Sequence, residues 1–147
     1  MPPLQQHATT LEIATRGRGL VEITREVERW VAAQGVADGV LTLYVRHTSA
    51  SLVIQENADP AVRSDLERWF ARLVRDGDAL FEHRDEGPDD MPAHVRAALL
   101  PTSLAIPMVG GRLALGAWQG VYLYEHRMRG QRREVVLQLT GAGPQRP

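Results

Sequence analysis

Apolar residues recur along the chain in two rhythms, and each rhythm predicts its own kind of element. In Thr10 to Thr15, Leu11 and Ile13 alternate with polar neighbours, which predicts a short strand with one buried face. Arg16-Gly17-Arg18-Gly19 reads as a turn. The rhythm then changes. Ile23, Val27, Trp30 and Val31 form one stripe of a helix, with Thr24 as its N-cap and Gly35 as its stop. Val40 to His47 alternates again, with Leu41, Leu43 and Val45 on one face, and Ala50 to Gln55 is a second apolar strand. Asn57-Ala58-Asp59-Pro60 marks a helix entry: Asp59 caps, and Pro60 at the first helical position gives up only an amide that had no partner. That helix carries Val62, Leu66, Trp69, Phe70, Leu73 and Val74 on its expected buried side and ends at Gly77.

Leu80 to Asp90 is acidic and loop-like, and a short helix follows near Pro92 to Leu100 with Asp90 as its candidate cap. The last third predicts strands at Ser103–Val109, Arg112–Leu115, Trp118–Arg127 and Arg133–Leu139, separated by turns at Gly110-Gly111 and around Arg129-Gly130. Tight turns join antiparallel neighbours, so the expected fold is α+β: antiparallel β-sheets with packed helices. One domain is expected over residues 1–147, with a core of about 10–141 and frayed ends up to Ala8 and from Gly141.

Composition narrows the function classes. The chain has 147 residues, 44% apolar and 24% charged, with a net charge of -1. That balance argues against general electrostatic binding to nucleic acid or to an anionic membrane. No apolar run approaches the roughly 18 residues of a membrane span. No secretory signal is visible at the N-terminus, so the expected location is the cytoplasm. There is no cysteine, which excludes disulfides, thiolate metal sites and cysteine nucleophiles. Every basic residue is arginine, a side chain suited to planar recognition of phosphate and carboxylate, although base composition explains the bias as well.

Three segments concentrate reactive groups where strands end or loops begin: Arg46 to Ser51, His83 to His94, and Leu115 to Gly120 leading into Glu125-His126-Arg127. His47, His83, His94 and His126 are the natural proton carriers near neutral pH and the strong nitrogen ligands. Three converging imidazoles make an open site for zinc or a similar divalent ion, whereas the acidic loop offers oxygens to magnesium. Thr48 and Ser49 place hydroxyls and amides in a turn suited to phosphate oxygens, and equally to an ordinary hairpin. Trp118 can stack on a planar ligand, or simply pack, with Gln119 as a strand-edge hydrogen bonder. No Gly-rich nucleotide loop and no Gly-x-Ser-x-Gly elbow is present.

Taken in order, His47-Thr48-Ser49-Ala50-Ser51-Leu52, Glu56-Asn57-Ala58-Asp59-Pro60, His83 with Glu86 to His94, and Gly116-Ala117-Trp118-Gln119-Gly120 with Glu125-His126-Arg127 resemble the YjbQ family. The resemblance runs from about Leu11 to Gly141. Ala117 departs from it, standing where the family usually has a hydroxyl residue. The resemblance implies an α+β homotrimer and a polar site lined by His47, His83 and His94, with Asn57, Gln119 and Glu125 nearby. In this reading His47, His83, His94 and Glu125 are the catalytic candidates. The same three histidines would hold a divalent metal, and Thr48, Ser49, Asn57, Trp118, Gln119 and Arg127 would meet a phosphorylated small-molecule substrate. The activity it implies is that of a secondary thiamine-phosphate synthase, coupling a pyrimidine methyl pyrophosphate to a thiazole phosphate. The competing readings are a binding module for a phosphorylated metabolite, a metal-dependent phosphate-ester hydrolase, and a structural trimer stabilised by its histidines.

Overall fold

The computed structural model describes residues 2–145. Strands β1 (Leu4–Ala14), β3 (Asp38–Val45), β5 (Ser103–Val109), β6 (Arg112–Leu113) and β8 (Arg132–Ala142) form a five-stranded sheet in the order β1-β8-β3-β5-β6. Strands β2 (Gly19–Glu22), β4 (Ala50–Glu56) and β7 (Gln119–Glu125) form a three-stranded sheet in the order β2-β7-β4. Every ladder is antiparallel, as expected of this α+β chain.

The period-two pattern decides which face of each strand is buried. Leu41 and Leu43 of β3, Ile106 and Met108 of β5, and Val135, Leu137 and Leu139 of β8 share one core with Ala50, Leu52, Val121 and Leu123 of the smaller sheet. Helix α1 (Thr24–Ala32) spans from β6 to β7 and adds Val27 and Val31 to that core. The opposite face of the smaller sheet is covered too, by α2 (Pro60–Leu73) and α3 (Asp90–Leu99). Phe70 of α2 meets Tyr124 edge-on at 5.9 Å, Arg63 lies over Tyr122, and Arg96 of α3 lies over Phe70 while Nη1 donates to Glu67 at 3.0 Å. Covered on both faces, β7 reads as an unbroken apolar run, Val121-Tyr122-Leu123-Tyr124.

Several boundaries differ from the sequence reading. Residues 4–8 and 141–142 are strand rather than frayed ends, because β1 pairs with β8 over its whole length, from Leu4↔Ala142 to Ala14↔Arg132. The outermost residues, 1 and 146–147, lie outside the described residues. β2 begins inside the predicted turn at 16–19 and continues to Glu22. Thr24 does not cap α1; its hydroxyl accepts from Val121 N–H at 2.9 Å and donates to Glu22, tying the helix start to β7. Asp59 does cap α2, accepting from Ala61 N–H at 2.9 Å. The apolar arc of α2 is wider than the three-stranded sheet beneath it: Phe70 and Val74 are buried, and Trp69 and Leu73 remain 58% and 53% exposed. Only β5 and β6 form a local hairpin among the late strands; the turn after β7 carries the chain from one sheet to the other.

Position on the pleat therefore sets stability. Leu137→Ala empties a fully buried site and is expected to cost about 2–5 kcal/mol in urea denaturation. Thr42→Ala, on the outward face of β3, is expected to stay within about 0.5 kcal/mol.

Candidate functional site

Four pieces of chain meet at one end of the sandwich: the turn 46–49 between β3 and β4, the loop between α2 and α3, the first turns of α3, and the residues just past β7. Helix geometry begins the site. Asp90 and His94 are four residues apart on α3 and share a face. His94 Nε2 lies 3.3 Å and His83 Nε2 2.7 Å from the same Asp90 Oδ2, and the three donor atoms lie within 4.8 Å of one another. Asp90 is 2% exposed; His83 and His94 face outward from it.

Two members of this triad, His94 and Asp90, are oriented from behind. His94 Nδ1 lies 3.0 Å from the Thr48 carbonyl oxygen, an acceptor, so Nδ1 carries the proton. Nε2 is then left facing Asp90: the charged ring donates to the carboxylate, and the neutral ring would offer its lone pair to an ion between them, its plane fixed by the outer hydrogen bond. Arg127 holds the carboxylates: Nη1 donates to Asp90 Oδ1 at 3.0 Å, Nε to Asp89 Oδ2 at 3.0 Å, and Nη2 to the Glu86 carbonyl at 2.9 Å. Burial opposes ionisation of Asp90, but the hydrogen bond from His83 and the charges of His94 and Arg127 hold its pKa below the ordinary carboxylate range. Two imidazole nitrogens and one carboxylate oxygen suit zinc or a similar transition ion better than magnesium, which prefers all-oxygen ligation.

His47 stands apart from this group. The sequence reading places it with His83 and His94; the structure gives the third position to Asp90. His47 Nε2 accepts from the Glu134 N–H at 2.7 Å, leaving Nδ1 to carry the proton of the neutral ring. Burial and the nearby Arg133 charge lower its pKa. His47 does share a recess of about 580 Å³ with Thr48, Ser49 and Arg133. Behind the recess Glu125 is fully buried. It accepts from Thr15 Oγ1 at 2.6 Å, from Arg133 Nε at 2.9 Å, from the N–H groups of His126 and Arg127, and from Arg133 Nη2. Arg133 Nη2 also donates to Ser49 Oγ at 2.9 Å. With its oxygens so engaged, Glu125 positions Arg133 and the Ser49 turn, and Arg127 positions carboxylates.

The remaining candidates lie at the other end of β4. Asn57 N–H donates to the Trp118 carbonyl at 3.0 Å, and Gln119 Oε1 accepts from Gly116 N–H at 2.7 Å. The register runs from Ala50↔Glu125 to Glu56↔Gln119, so about 20 Å of strand separates this end from the histidines. Within one chain Asn57, Trp118 and Gln119 do not join His83 and His94, and Trp118 is 66% exposed.

Two residues of the candidate site are not singled out in the sequence reading. Asp90 reads there as a cap and as one of an acidic loop offering oxygens to magnesium, although its spacing of four from His94 on a helix is the available signal. Arg133 shares the inward parity of Val135, Leu137 and Leu139, and a charge in that phase signals a buried pair. His126, by contrast, is no free proton carrier. It is fully buried with Nε2 2.8 Å from Ser51 Oγ, and burial together with the charges of Arg96, Arg18 and Arg133 pushes its pKa down to about 3.

The comparisons agree with this architecture. The family described as UPF0047 protein YjbQ-like matches residues 9–142. A UPF0047 protein of Synechocystis is 51% identical over 137 residues, 93% of each chain. The UPF0047 protein YjbQ of Escherichia coli O157:H7 is 44% identical over 133 residues, 90% of this chain and 96% of that one. Among solved structures, a conserved hypothetical protein of Thermus thermophilus aligns with a TM-score of 0.78 at 37% identity, covering 89% of this chain and 98% of that one. A protein of unknown function from Sulfolobus solfataricus aligns with a TM-score of 0.86 at 23% identity, covering 95% and 99%, and shares the fold. No helix among the described residues is long and apolar enough to cross a membrane.

The neutral, buried His126 sets a pH dependence. Its pKa is about 3 in the fold, whereas an unfolded histidine titrates near 6.5. Between those values the unfolded chain binds more protons, so stability is expected to fall as pH drops below about 6.5 and this contribution to level off near 3. Denaturation curves from neutral to acid pH are expected to show a shallower fall for His126→Gln than for the native chain; equal slopes would contradict the assignment.

Proposed function

The chain belongs to the YjbQ-like UPF0047 family, and from that premise we propose that it is a metal-dependent enzyme acting on a phosphorylated small molecule. His83, Asp90 and His94 hold a divalent ion of the zinc type. The observation that carries this reading is the His94 ring: with Nδ1–H on the Thr48 carbonyl, its Nε2 is turned toward a buried carboxylate that a second histidine also faces. Bound there, such an ion would supply positive charge to phosphate oxygens as charge develops on them.

Within this class, the reaction we propose is the coupling of a pyrimidine methyl pyrophosphate with a thiazole phosphate. The methylene–oxygen bond breaks, pyrophosphate leaves with the electron pair, and the thiazole nitrogen forms the new carbon–nitrogen bond. No proton moves in that exchange, so the demand on the protein is charge stabilisation and alignment. Thr48 and Ser49 offer hydroxyl donors at the recess, His47 offers Nδ1–H, and Arg133 supplies the positive field beside them. Arg127 keeps Asp90 aimed, and Glu125 keeps Arg133 aimed.

We propose a homotrimer for the same chain. The outward face of the five-stranded sheet carries Val40, Tyr44 and Val109, 39%, 51% and 62% exposed, and Tyr44 continues that face into the His47 recess. A cyclic trimer repeats one contact between unlike surfaces, which lets the Asn57–Trp118–Gln119 end of one copy approach the histidine end of the next.

Elemental analysis of protein purified without metal-affinity tags is expected to give about one transition ion per chain, lost in Asp90→Asn and His94→Ala and bound about 10–100-fold more weakly in Arg127→Met. Stoichiometric metal in His94→Ala would overturn the ligand set. Pyrophosphate release from the two substrates tests the reaction; metal loading and phosphate binding without turnover would favour the binding-module reading.

Light scattering is expected to give about three times the 16.3 kDa chain mass, and less for Tyr44→Asp. A native monomer would remove the trimer.

A further inference from the structure

Two turns pack together beside the loop that joins α2 to α3. One follows β1 and the other follows β7. Thr15 N–H donates to the Gln131 carbonyl at 2.8 Å, and a Cβ at Gly17, where φ is +127°, would meet the Met128 carbonyl oxygen at 2.6 Å. Glycine alone suits both that backbone and that approach. Each turn sends one arginine to a foot of the loop. Arg127 holds the far foot through Asp89 Oδ2 at 3.0 Å, and Met128 N–H reaches the same oxygen at 2.9 Å. Arg18 holds the near foot. Its Nη1 and Nη2 donate to Asp76 Oδ2 and Oδ1 at 2.8 and 2.9 Å, while Nε donates to the His126 carbonyl at 3.0 Å.

The near foot is held firmly. Two parallel bonds fix the orientation of a carboxylate as well as its distance. The Arg18 side chain is 9% exposed, so the pair is better shielded than an ordinary surface ion pair. Between the feet the loop closes on itself, with Gly77 N–H donating to the Pro88 carbonyl at 3.0 Å and Gly87 N–H to the Arg84 carbonyl at 3.2 Å. A segment closed in this way moves as one piece, and His83 travels with it.

The two histidines of the triad are secured differently. His94 rides on α3 and is bonded at both ring nitrogens, to Thr48 and to Asp90. His83 is half exposed, and among the described residues its ring has one hydrogen bond, to Asp90 Oδ2 at 2.7 Å. Its place therefore depends on where the loop is held. We infer that Arg18 is a positioning residue for His83: through Asp76 it keeps the loop where His83 completes the triad, a role that rests on the metal reading above. Neither Arg18 nor Asp76 belongs to the apolar core between the sheets, so releasing the foot frees the loop and leaves the sandwich intact.

Asp76→Ala cuts the near foot and spares the bond from Arg18 to the His126 carbonyl. Hydrogen exchange of the amides in 77–88 is expected to be about tenfold faster in this variant than in the native chain, with the amides of β3 and β8 unchanged. Zinc affinity, measured by competition with a chelator, is expected to fall about tenfold in Asp76→Ala and by a similar factor in Arg18→Met. In a His83→Ala background, Asp76→Ala is expected to change zinc affinity less than about twofold, because the loop then brings no ligand. An equal loss in both backgrounds would overturn the positioning role, and so would unchanged exchange of the loop. A native chain that takes no zinc would overturn the metal reading, and faster loop exchange in Asp76→Ala would still place the clamp.

Discussion

The buried pair of Glu125 and Arg133 joins what the rest of the molecule needs joined. Glu125 ends β7 in the smaller sheet, and Arg133 is the second residue of β8 in the larger one. Their contact therefore fixes one sheet against the other at the end where the site forms. Burying two charges is costly, and the cost is offset only when the remaining hydrogen-bonding positions are filled. Here they are: Thr15, two backbone N–H groups and both donating sides of Arg133 converge on Glu125, and Arg133 reaches on to Ser49. One ionic contact thus sets the spacing of the sheets and the shape of the turn holding His47, Thr48 and Ser49.

Asp90 is the second hub and is built on the same logic. Its carboxylate is shielded from water, yet one oxygen takes Arg127 while the other faces two imidazoles. Arg127 lies on one side of the carboxylate and the two imidazoles on the other. Because Arg127 follows β7 by two residues, the orientation of Asp90 depends on the strand that carries Glu125. The turn after β3 closes the circuit, since the Thr48 carbonyl fixes the His94 ring. Sheet packing, the turn and the first turn of α3 are mechanically one unit.

Function then divides between rigid and open parts. The hydrogen-bonded carboxylates and arginines hold the histidines and the 46–49 turn in place. The recess at His47 and the triad lie at one end of the sandwich, with the loop between α2 and α3 beside them. The opposite end of β4 carries the exposed Trp118, with Gln119 bonded to the Gly116 N–H.

Local pattern by itself determined much of this. The alternation of Leu41, Leu43 and Val45 placed β3 and its buried face, Asp59-Pro60 placed the start of α2, and the ordered His, Asn, Gln and Glu segments carried the family resemblance. These are legible because propensity, capping and period act over a few residues. Only tertiary structure decided that β7 and β8 belong to different sheets, that β1 reaches back to Leu4, and that α2 leaves Trp69 exposed. It also decided that Asp90 rather than His47 completes the triad. Those outcomes depend on which distant backbone a segment meets: Leu4 is strand because Ala142 lies beside it, and Asp90 is a ligand candidate because Arg127, from the turn after β7, stabilises its buried charge. Spacing along the chain encodes the local half of such contacts, and the partner that gives them meaning arrives only with the fold.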